Sequence, residues 1–174
     1  MINEHVLDLE TRKLIYECVR KSPGIHFREI QRRANLATGS IDYHLHFLHK
    51  HGLVRAEKSG KFLRYYPAEF SYGEEEKHLL GLLRQEKIRH ILIYLIEAKR
   101  ANASAISEDI GVSPSNLSFY LKALSEKNII MQSKKGRFRF YSVKDAKTIV
   151  ECLITYKASF LDKIVDRFID AWEE

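Results

Sequence analysis

The chain of 174 residues repeats its apolar pattern at a spacing of 76 positions. Shifting the sequence by 76 positions places apolar residues of the first half on apolar residues of the second half without a gap. The aligned pairs are Ile15 and Ile91, Val19 and Leu95, Ile30 and Ile106, Ile41 and Leu117, Leu45 and Leu121, Leu48 and Leu124, Leu53 and Ile129, and Val54 and Ile130. Because one fixed period indicates a duplicated unit, we predict two copies of one small domain rather than a solenoid.

Three short helices are predicted at the start of each copy. In the first copy, apolar residues recur at helical spacing up to residues 22–24, where Ser, Pro and Gly end a helix. A short second helix follows, and residues 35–37 connect it to a third helix for which Thr38 is the predicted N-cap. The second copy has Ser113 as the matching N-cap and Pro114 at the first helical position. This order is typical of a helix-turn-helix.

Each third helix is followed by two strand-like runs that flank a glycine-containing turn. In the first copy the turn lies at residues 58–61, and in the second copy at residues 134–136. This pattern predicts a β-hairpin, or wing, in each copy. The predicted fold class is therefore mainly α with small β-hairpin wings (α+β), with tandem winged helix-turn-helix domains and a long C-terminal helix.

The domain boundaries follow from these elements. A capping box of Ser71 and Glu74 opens a helical segment between the two copies. The predicted parts are an N-terminal winged helix-turn-helix domain at 1–70, a helical linker at 71–84, a second winged helix-turn-helix domain at 85–143 and a C-terminal amphipathic helix at 144–174.

The C-terminal helix carries an apolar stripe that requires a partner. The stripe could fold back on its own domain, but its length and its near-heptad spacing favour a dimer contact. We therefore expect a homodimer. The residues predicted at the dimer contact are Ile149, Leu153, Phe160, Ile164, Phe168 and Trp172.

Basic residues are concentrated in the two copies. The chain has a net charge of +6. Residues 1–73 hold 12 Lys/Arg against 8 Asp/Glu, residues 85–143 hold 10 against 5, and residues 144–174 hold 5 against 7. Two basic blocks and an acidic final segment suggest a polyanionic partner for the two copies.

The third helices, at 38–51 and 114–127, are the predicted recognition helices of a double-stranded DNA-binding protein. Each buries one apolar face, so the opposite face is free to enter a major groove. There hydroxyls and Asn can reach base edges, and aromatic rings can contact thymine methyl groups. The predicted contacts are Thr38, Gly39, Ser40, Tyr43, His46, Phe47 and Lys50 in the first copy, and Ser115, Asn116, Ser118, Phe119 and Lys122 in the second.

Phosphate contacts require cations beside these helices. Basic side chains occur on the second helix of the first copy and on both wings. Their recurrence beside both recognition helices favours phosphate contact over a merely solvated surface. The residues predicted to contact phosphate are Arg28, Arg32, Arg33, Lys58, Lys61, Arg64, Lys134, Lys135, Arg137 and Arg139.

Several other classes of protein are disfavoured. The apolar runs are too short to cross a bilayer, and the first nine residues do not have the pattern of a secretory signal, so we expect a cytoplasmic protein without a membrane partner. Cys18 and Cys152 are expected to be reduced core residues. No phosphate-binding glycine loop, nucleophile elbow or zinc-protease motif is present, so neither enzymatic activity nor a cofactor is expected.

A metal site is the main alternative use of the histidines on the first recognition helix. His44, His46, His49 and His51 lie close together in the sequence. No thiol or carboxylate pair at ligand spacing accompanies them, and a histidine near an apolar face is more often simply packed. We therefore predict no metal ligand.

Three segments of the first copy resemble a known family. These are residues 24–30 (GIHFREI), 39–45 (GSIDYHL) and 51–54 (HGLV). They resemble archaeal transcriptional regulators with two winged helix-turn-helix domains, related to the ArsR and MarR types, and the matching segments of both copies cover most of residues 11–142. The resemblance implies sequence-specific promoter binding, with the euryarchaeal activators of archaellum operons as one candidate group.

The second copy departs from this pattern at two positions. Asn128 replaces Gly52, and Tyr120 replaces His44. Whether both copies bind DNA equally is therefore open. The alternative function is that of a protein-interaction scaffold in transcription or chromosome-segregation machinery, because winged helices also bind proteins. For a regulator, the basal transcription machinery is a further expected partner.

Overall fold

The computed structural model describes residues 9–59, 61–71 and 73–173. The chain divides into two compact units, Met1–Gly81 and Leu82–Glu174, and the division falls within the segment predicted as the linker. The turn residue Gly60 and the first eight residues, which bear on the expectation about a secretory signal, lie outside the described residues. In the described part of the chain, no helix has the length and apolar character needed to cross a membrane.

The first unit is built from helices and a small antiparallel sheet. The sheet order is β1-β3-β2. The second and third strands form the predicted hairpin, with Val54 opposite Pro67 and Ser59 opposite Phe62. Its described elements are α1 (Glu10–Lys21), β1 (Ile25–His26), α2 (Phe27–Ala34), α3 (Thr38–Lys50), β2 (Val54–Ser59), β3 (Phe62–Pro67) and α4 (Glu74–Leu83), which crosses the boundary between the units.

The second unit repeats this order and adds three helices. Its sheet order is β4-β6-β5, and from the short first strand to the wing each element begins and ends 76 residues after its counterpart. Its elements are α5 (Glu86–Ala98), β4 (Ala101–Asn102), α6 (Ala103–Ile110), α7 (Pro114–Glu126), β5 (Ile130–Lys135), β6 (Phe138–Val143), α8 (Ala146–Thr155), α9 (Lys157–Phe160) and α10 (Lys163–Glu173). The observed fold is mainly helical with small hairpin wings, as predicted.

The core of each unit is made by the apolar residues that define the sequence repeat. In the first unit each of the first three helices contributes one apolar stripe to the core. In the second unit α5 is buried on most sides, because it packs against α6 and β6 and also against α10. The side chains that are fully or almost fully buried at equivalent positions are Ile15, Val19, Ile30, Ile41 and Leu48 in the first unit, and Ile91, Leu95, Ile106, Leu117 and Leu124 in the second.

The turns that orient the third helices use the left-handed backbone conformation. The second helices end at Asn35 (φ 52°) and Gly111 (φ 67°), and Gly52 (φ 69°) and Asn128 (φ 57°) follow the third helices. Asn and Gly are the residues that adopt this conformation at least cost. The replacement of Gly52 by Asn128 in the second copy therefore preserves the local backbone.

The N-caps of the third helices differ between the units. Ser113 is the N-cap of α7, as predicted, and its hydroxyl accepts a hydrogen bond from the Asn116 backbone N–H. Thr38 was predicted as the N-cap of α3, but Ala37 occupies that position. The Thr38 hydroxyl instead accepts a hydrogen bond from Gln31 Nε2 at 2.9 Å, which links α2 to α3.

The final segment forms three helices, so the prediction of one long helix is wrong. The helical run breaks at Tyr156 and again at Leu161, whose φ of 53° cannot continue a helix. The breaks let the apolar stripe fold back on its own unit. Among the predicted dimer residues, Ile149, Leu153, Phe160 and Phe168 are buried in the second unit, whereas Ile164 and Trp172 remain exposed.

A buried ionic cluster holds this final segment against α5. Asp162 accepts hydrogen bonds from Arg89 at 2.7 and 2.9 Å and lies 3.0 Å from His90 Nε2. Burial alone would raise the pKa of Asp162, but the hydrogen bonds and charges of Arg89 and His90 outweigh burial and hold this pKa below its usual value. Arg89 also donates to the Leu83 carbonyl, and the Ile164 N–H donates to Asp162. The cluster therefore fixes the turn between α9 and α10.

Replacing Asp162 by Asn should destabilise the second unit strongly. The Asp162→Asn variant leaves the buried Arg89 without its counter-ion, and losing one partner of a buried pair lowers the free energy of unfolding by about 3 kcal/mol or more. Trp172, the single Trp of the chain, reports this unit in urea denaturation followed by fluorescence. The control is Asp170→Asn, which breaks the exposed pair with Lys157 and should change stability by less than about 1 kcal/mol. Equal effects of the two variants would contradict the structural role of the cluster.

Candidate nucleic-acid interface

The outward face of α3 is polar and aromatic. Ile41, Leu45 and Leu48 are buried on the opposite side. Tyr43 is 61% exposed. The other predicted contacts on this helix that are exposed are Thr38, Gly39, His46 and Lys50, and Ser40 is half-buried. These side chains form a surface that is accessible to solvent and to the groove of a DNA duplex.

Phe47, a predicted DNA contact, is half-buried and packs within its own unit. The Arg12 guanidinium of α1 lies 3.7 Å from the centroid of the Phe47 ring, and the His51 ring lies at 4.2 Å. Arg12 is itself buried. This cation–π contact is worth about 1–2 kcal/mol when partly desolvated, so Phe47 fixes the position of α3 against α1. The sequence pattern missed Arg12 because a lone basic residue on a helix is usually solvated.

The outward face of α7 is more open and richer in hydroxyl and amide groups. Phe119 is 69% exposed. Its neighbours on this face are Ser115, Asn116, Ser118 and Lys122, and all four are exposed. Lys122 lies 3.8 Å from Glu126 across one helical turn. All the predicted contacts of the second recognition helix are thus on its accessible side.

The cations of α2 divide into two groups. Arg28 and Arg32 are exposed. Arg33 donates to Glu29 Oε1 at 2.6 Å and to Ser22 Oγ at 2.8 Å, which ties α2 to the end of α1. Arg28 and Arg32 are therefore free to meet a phosphate, whereas Arg33 supports the fold.

Arg64 was predicted among the wing cations, but it is only 6% exposed. Its Nη1 donates to the Gly24 carbonyl at 2.7 Å, and a Cβ at Gly81 would lie 3.2 Å from its Nε. Burial lowers the pKa of Arg64. Arg64 thus anchors the loop after α1, and the exposed cations of the first wing are Lys58 and Lys61. Residue type alone could not show that Arg64 is buried, because the residues that cover it, Gly24 and Gly81, are distant in the sequence.

The second wing is exposed and strongly basic. All four predicted cations, Lys134, Lys135, Arg137 and Arg139, are accessible. Lys134 and Arg139 lie directly opposite each other in the β5–β6 ladder. Like charges in this position destabilise a hairpin, and an anionic partner would relieve that repulsion. In the first wing, by contrast, Glu57 lies opposite Arg64.

The two units differ most in charge along their second helices. The positions in α6 that correspond to Arg28, Arg32 and Arg33 hold Ser104, Glu108 and Asp109. The α6 surface therefore lacks the cations that α2 presents. The same 76-residue shift that revealed the repeat would have shown this difference.

The histidines of α3 do not converge on one site. His44 is buried, and burial, followed by the charge of Arg12, lowers its pKa. His49 Nδ1 lies 3.0 Å from the Val54 carbonyl. Within residues 9–59, 61–71 and 73–173, no group of three or more His, Cys, Asp or Glu side chains is arranged to hold a metal ion.

Comparisons with protein families match each half of the chain to a helix-turn-helix. Residues 9–80 match a family described as an N-terminal HTH domain, and residues 84–131 match a family described as winged helix-turn-helix DNA-binding. These matches agree with the observed order of helices and hairpins. The chain thus carries two helix-turn-helix domains in succession, each followed by a wing.

One relative is a protein of Methanocaldococcus jannaschii named as an uncharacterized HTH-type transcriptional regulator. It is 28% identical over 143 residues, which are 82% of this chain and 36% of the relative. The chain therefore spans about a third of the length of that relative.

Solved structures show only a weak likeness. Lactococcus lactis ZitR in complex with DNA is 21% identical over 51% of this chain and 73% of that protein, with a TM-score of 0.37. The adhesin competence repressor AdcR of Streptococcus pyogenes is 21% identical over 52% of this chain and 80% of that protein, with a TM-score of 0.35.

Arg64 and Lys61 allow a direct test of which wing cation supports the fold. Arg64→Ala should lower the free energy of unfolding of the first unit by about 2 kcal/mol, because a buried hydrogen bond from a charged donor is lost. Lys61→Ala should change it by less than about 0.5 kcal/mol. Amide hydrogen exchange of the α1 and α3 core residues measures both. An unchanged exchange rate in Arg64→Ala would show that Arg64 has no anchoring role.

Proposed function

We propose that the protein is a transcriptional regulator that binds double-stranded DNA in a sequence-specific manner. In this proposal α3 and α7 enter the major groove, and the exposed cations beside them contact phosphates. The observation that carries the proposal is that both third helices keep a polar-aromatic face exposed while their apolar face is buried. The name of the M. jannaschii relative supports a regulatory role.

The electrostatics of the second wing support a polyanionic ligand. Four exposed cations lie on one hairpin, and two of them face each other across the ladder. Their mutual repulsion is tolerated in the free protein and relieved when phosphates come between them. A surface of this kind binds any duplex, so the α7 side chains must supply the discrimination.

The two domains should contact phosphates with different elements. In the first domain Arg28 and Arg32 lie on α2, next to the recognition helix, and Lys58 and Lys61 lie on the wing. In the second domain α6 is acidic, so the exposed cations lie on the wing and, at Lys122, on α7 itself. We therefore expect the second helix to contribute phosphate contacts in the first domain but not in the second.

The wider expectations for this protein remain predictions. These are the relationship to ArsR and MarR regulators, the archaellum-operon group, and contact with the basal transcription machinery. A regulator of this kind acts where DNA is found, so we expect it in the cytoplasm. The proposed function includes no catalytic step.

The alternative function is that of a protein-interaction scaffold. Phe62 and Leu63, near the tip of the first wing, are exposed large apolar residues, and apolar side chains at a wing tip are suited to a protein contact. The first wing has fewer exposed cations than the second, which is consistent with such a role. The same binding experiment distinguishes the two functions.

The experiment is a fluorescence-anisotropy salt titration with promoter duplexes. Lys134→Ala should weaken binding to all duplexes alike and reduce the slope of log K against log salt by about 0.9, because one phosphate contact is lost. Asn116→Ala should leave the salt slope unchanged and reduce discrimination of the preferred sequence by about 1–3 kcal/mol.

The control for both variants is Lys147→Ala, which removes an exposed cation of α8 outside the proposed interface. It should change neither affinity nor slope. If the wild-type protein fails to bind duplexes at low salt, or binds them without sequence preference, the regulator function is wrong and the scaffold function is favoured.

We further propose that the protein is a homodimer joined through its final segment. Four large apolar side chains of its described part are exposed, namely Ile154, Leu161, Ile164 and Trp172, with Leu161 84% and Trp172 50% exposed. Residues eight apart on a helix lie about 80° apart around its axis, so Ile164 and Trp172 share one side of α10. Exposed apolar groups of this kind are typical of a contact between subunits. The proposed dimer contact is smaller than the apolar stripe predicted from the sequence, because four residues of that stripe are buried in the second unit.

Trp172→Glu should convert the dimer to a monomer, because a carboxylate would be desolvated in the contact. Light scattering at several protein concentrations measures the oligomeric state. Phe119→Glu is the matched control, since it places the same charge on an exposed aromatic position of α7 and should leave the dimer intact. A monomeric wild-type protein, or a dimeric Trp172→Glu variant, would disprove this dimer.

A further inference from the structure

An open pocket of about 460 Å³ lies between α6 and α7 of the second unit. Ala103, Pro114 and Leu121 supply its apolar walls, and Tyr141 of β6 also lines it. This volume lies in the range of sites that hold small organic ligands, about 300–1,000 Å³. Of its lining residues, only Ser118 belongs to the DNA contacts proposed above.

Two differences between the repeats coincide with this pocket, and the first is the size of one side chain. Ala103 begins α6 at the position where α2 begins with Phe27, 76 residues earlier. In the first unit the side chain of Phe27 packs against the core. In the second unit a methyl group stands at this position, so the volume of an aromatic ring is left open beside Leu121.

The second difference concerns the hydrogen bond that bridges the second and third helices of a unit. In the first unit Gln31 Nε2 donates to Thr38 Oγ1, which bridges α2 and α3. Their counterparts are Ser107 and Pro114. The Ser107 hydroxyl donates to the Val112 carbonyl at 2.5 Å instead, and proline offers no hydroxyl to bridge to. The gap between α6 and α7 therefore has no bridge of this kind.

The polar groups of the pocket favour a cation over an anion. Its lining contains the hydroxyls of Ser104, Ser107 and Ser118 and the carboxylate of Glu108, and no Lys, Arg or His. Glu108 is exposed and forms no ion pair within the described ranges of the chain. An anionic ligand would meet this carboxylate without a compensating charge, whereas an ammonium group would pair with it.

We propose that this pocket binds an aromatic amine in its ammonium form. The ring occupies the space that a phenylalanine side chain takes at the start of the equivalent helix, against Leu121 and Pro114. The ammonium group pairs with Glu108 and hydrogen-bonds to the neighbouring hydroxyls. Because Ser118 lies both in the pocket and on the outward face of α7, an occupied pocket changes the surface that meets DNA. That last consequence rests on the proposed function, but amine binding itself does not.

The test is an NMR titration of the ¹⁵N-labelled full chain without DNA. The probes are 2-phenylethylammonium, the neutral 2-phenylethanol and the anionic 3-phenylpropionate. We expect saturable shifts of α6 and α7 amides with the ammonium probe at millimolar concentration. The alcohol should bind at least tenfold more weakly, and the carboxylate should not bind. Equal binding of all three probes would contradict the role of Glu108.

Two variants and one control complete the test. Ala103→Phe restores the side chain found in the first repeat and should abolish the shifts, and the position is exposed enough for the fold to accept it. Glu108→Gln should weaken the ammonium probe about tenfold. Asp109→Asn, an exposed acidic neighbour outside the pocket, should have no effect.

Three outcomes would contradict amine binding in this pocket. The proposal is wrong if the wild-type chain gives no saturable shifts, or if Ala103→Phe retains them while its spectrum shows a folded protein. It is also wrong if duplex DNA shifts the pocket amides and the ammonium probe does not, because the pocket would then belong to the DNA contact. A failure of DNA binding alone would leave amine binding intact, so the two proposals can be separated.

Discussion

The rotation of each third helix about its own axis is fixed by three buried side chains. In α3 these are Ile41, Leu45 and Leu48, and burying each contributes about 1.5–3 kcal/mol. A helix cannot turn by even one residue position without exposing part of this face, so the opposite face must point outward. The exposure of the polar groups on this helix follows from this constraint. The outward position of Tyr43 is thus a consequence of what the core requires.

Because the apolar cores repeat, many of the differences between the two domains lie on their surfaces. The first domain carries Arg28 and Arg32 on its second helix, and the second carries Glu108 in place of Arg32. The second domain compensates with four exposed wing cations. Duplication has therefore kept the frame that presents a recognition helix, while the charged groups around it have diverged. The pocket beside Ala103 is a further divergence, because Ala103 is smaller than Phe27 at the equivalent position.

Much of this architecture could be predicted from the sequence, because the apolar period, the turn residues and the N-cap at Ser113 are local signals. Other features depend on three-dimensional packing. The strands β1 and β4 have two residues each, too few to show an alternating pattern. Arg64 has the residue type of a phosphate contact, and only the packing of Gly24 and Gly81 against it shows that it is buried. The predicted final helix breaks at Leu161, although the apolar sequence pattern continues through this position.

The central claim, that the outward faces of the third helices meet DNA, is tested most directly by hydroxyl-radical footprinting of the protein read by mass spectrometry. In the free protein Tyr43 and Phe119 should be readily oxidised because both rings are exposed. A bound duplex should protect these two residues and the wing residue Phe138, and should leave the reactivity of Trp172 unchanged. Unaltered oxidation of Tyr43 and Phe119 in a saturated complex would contradict the account.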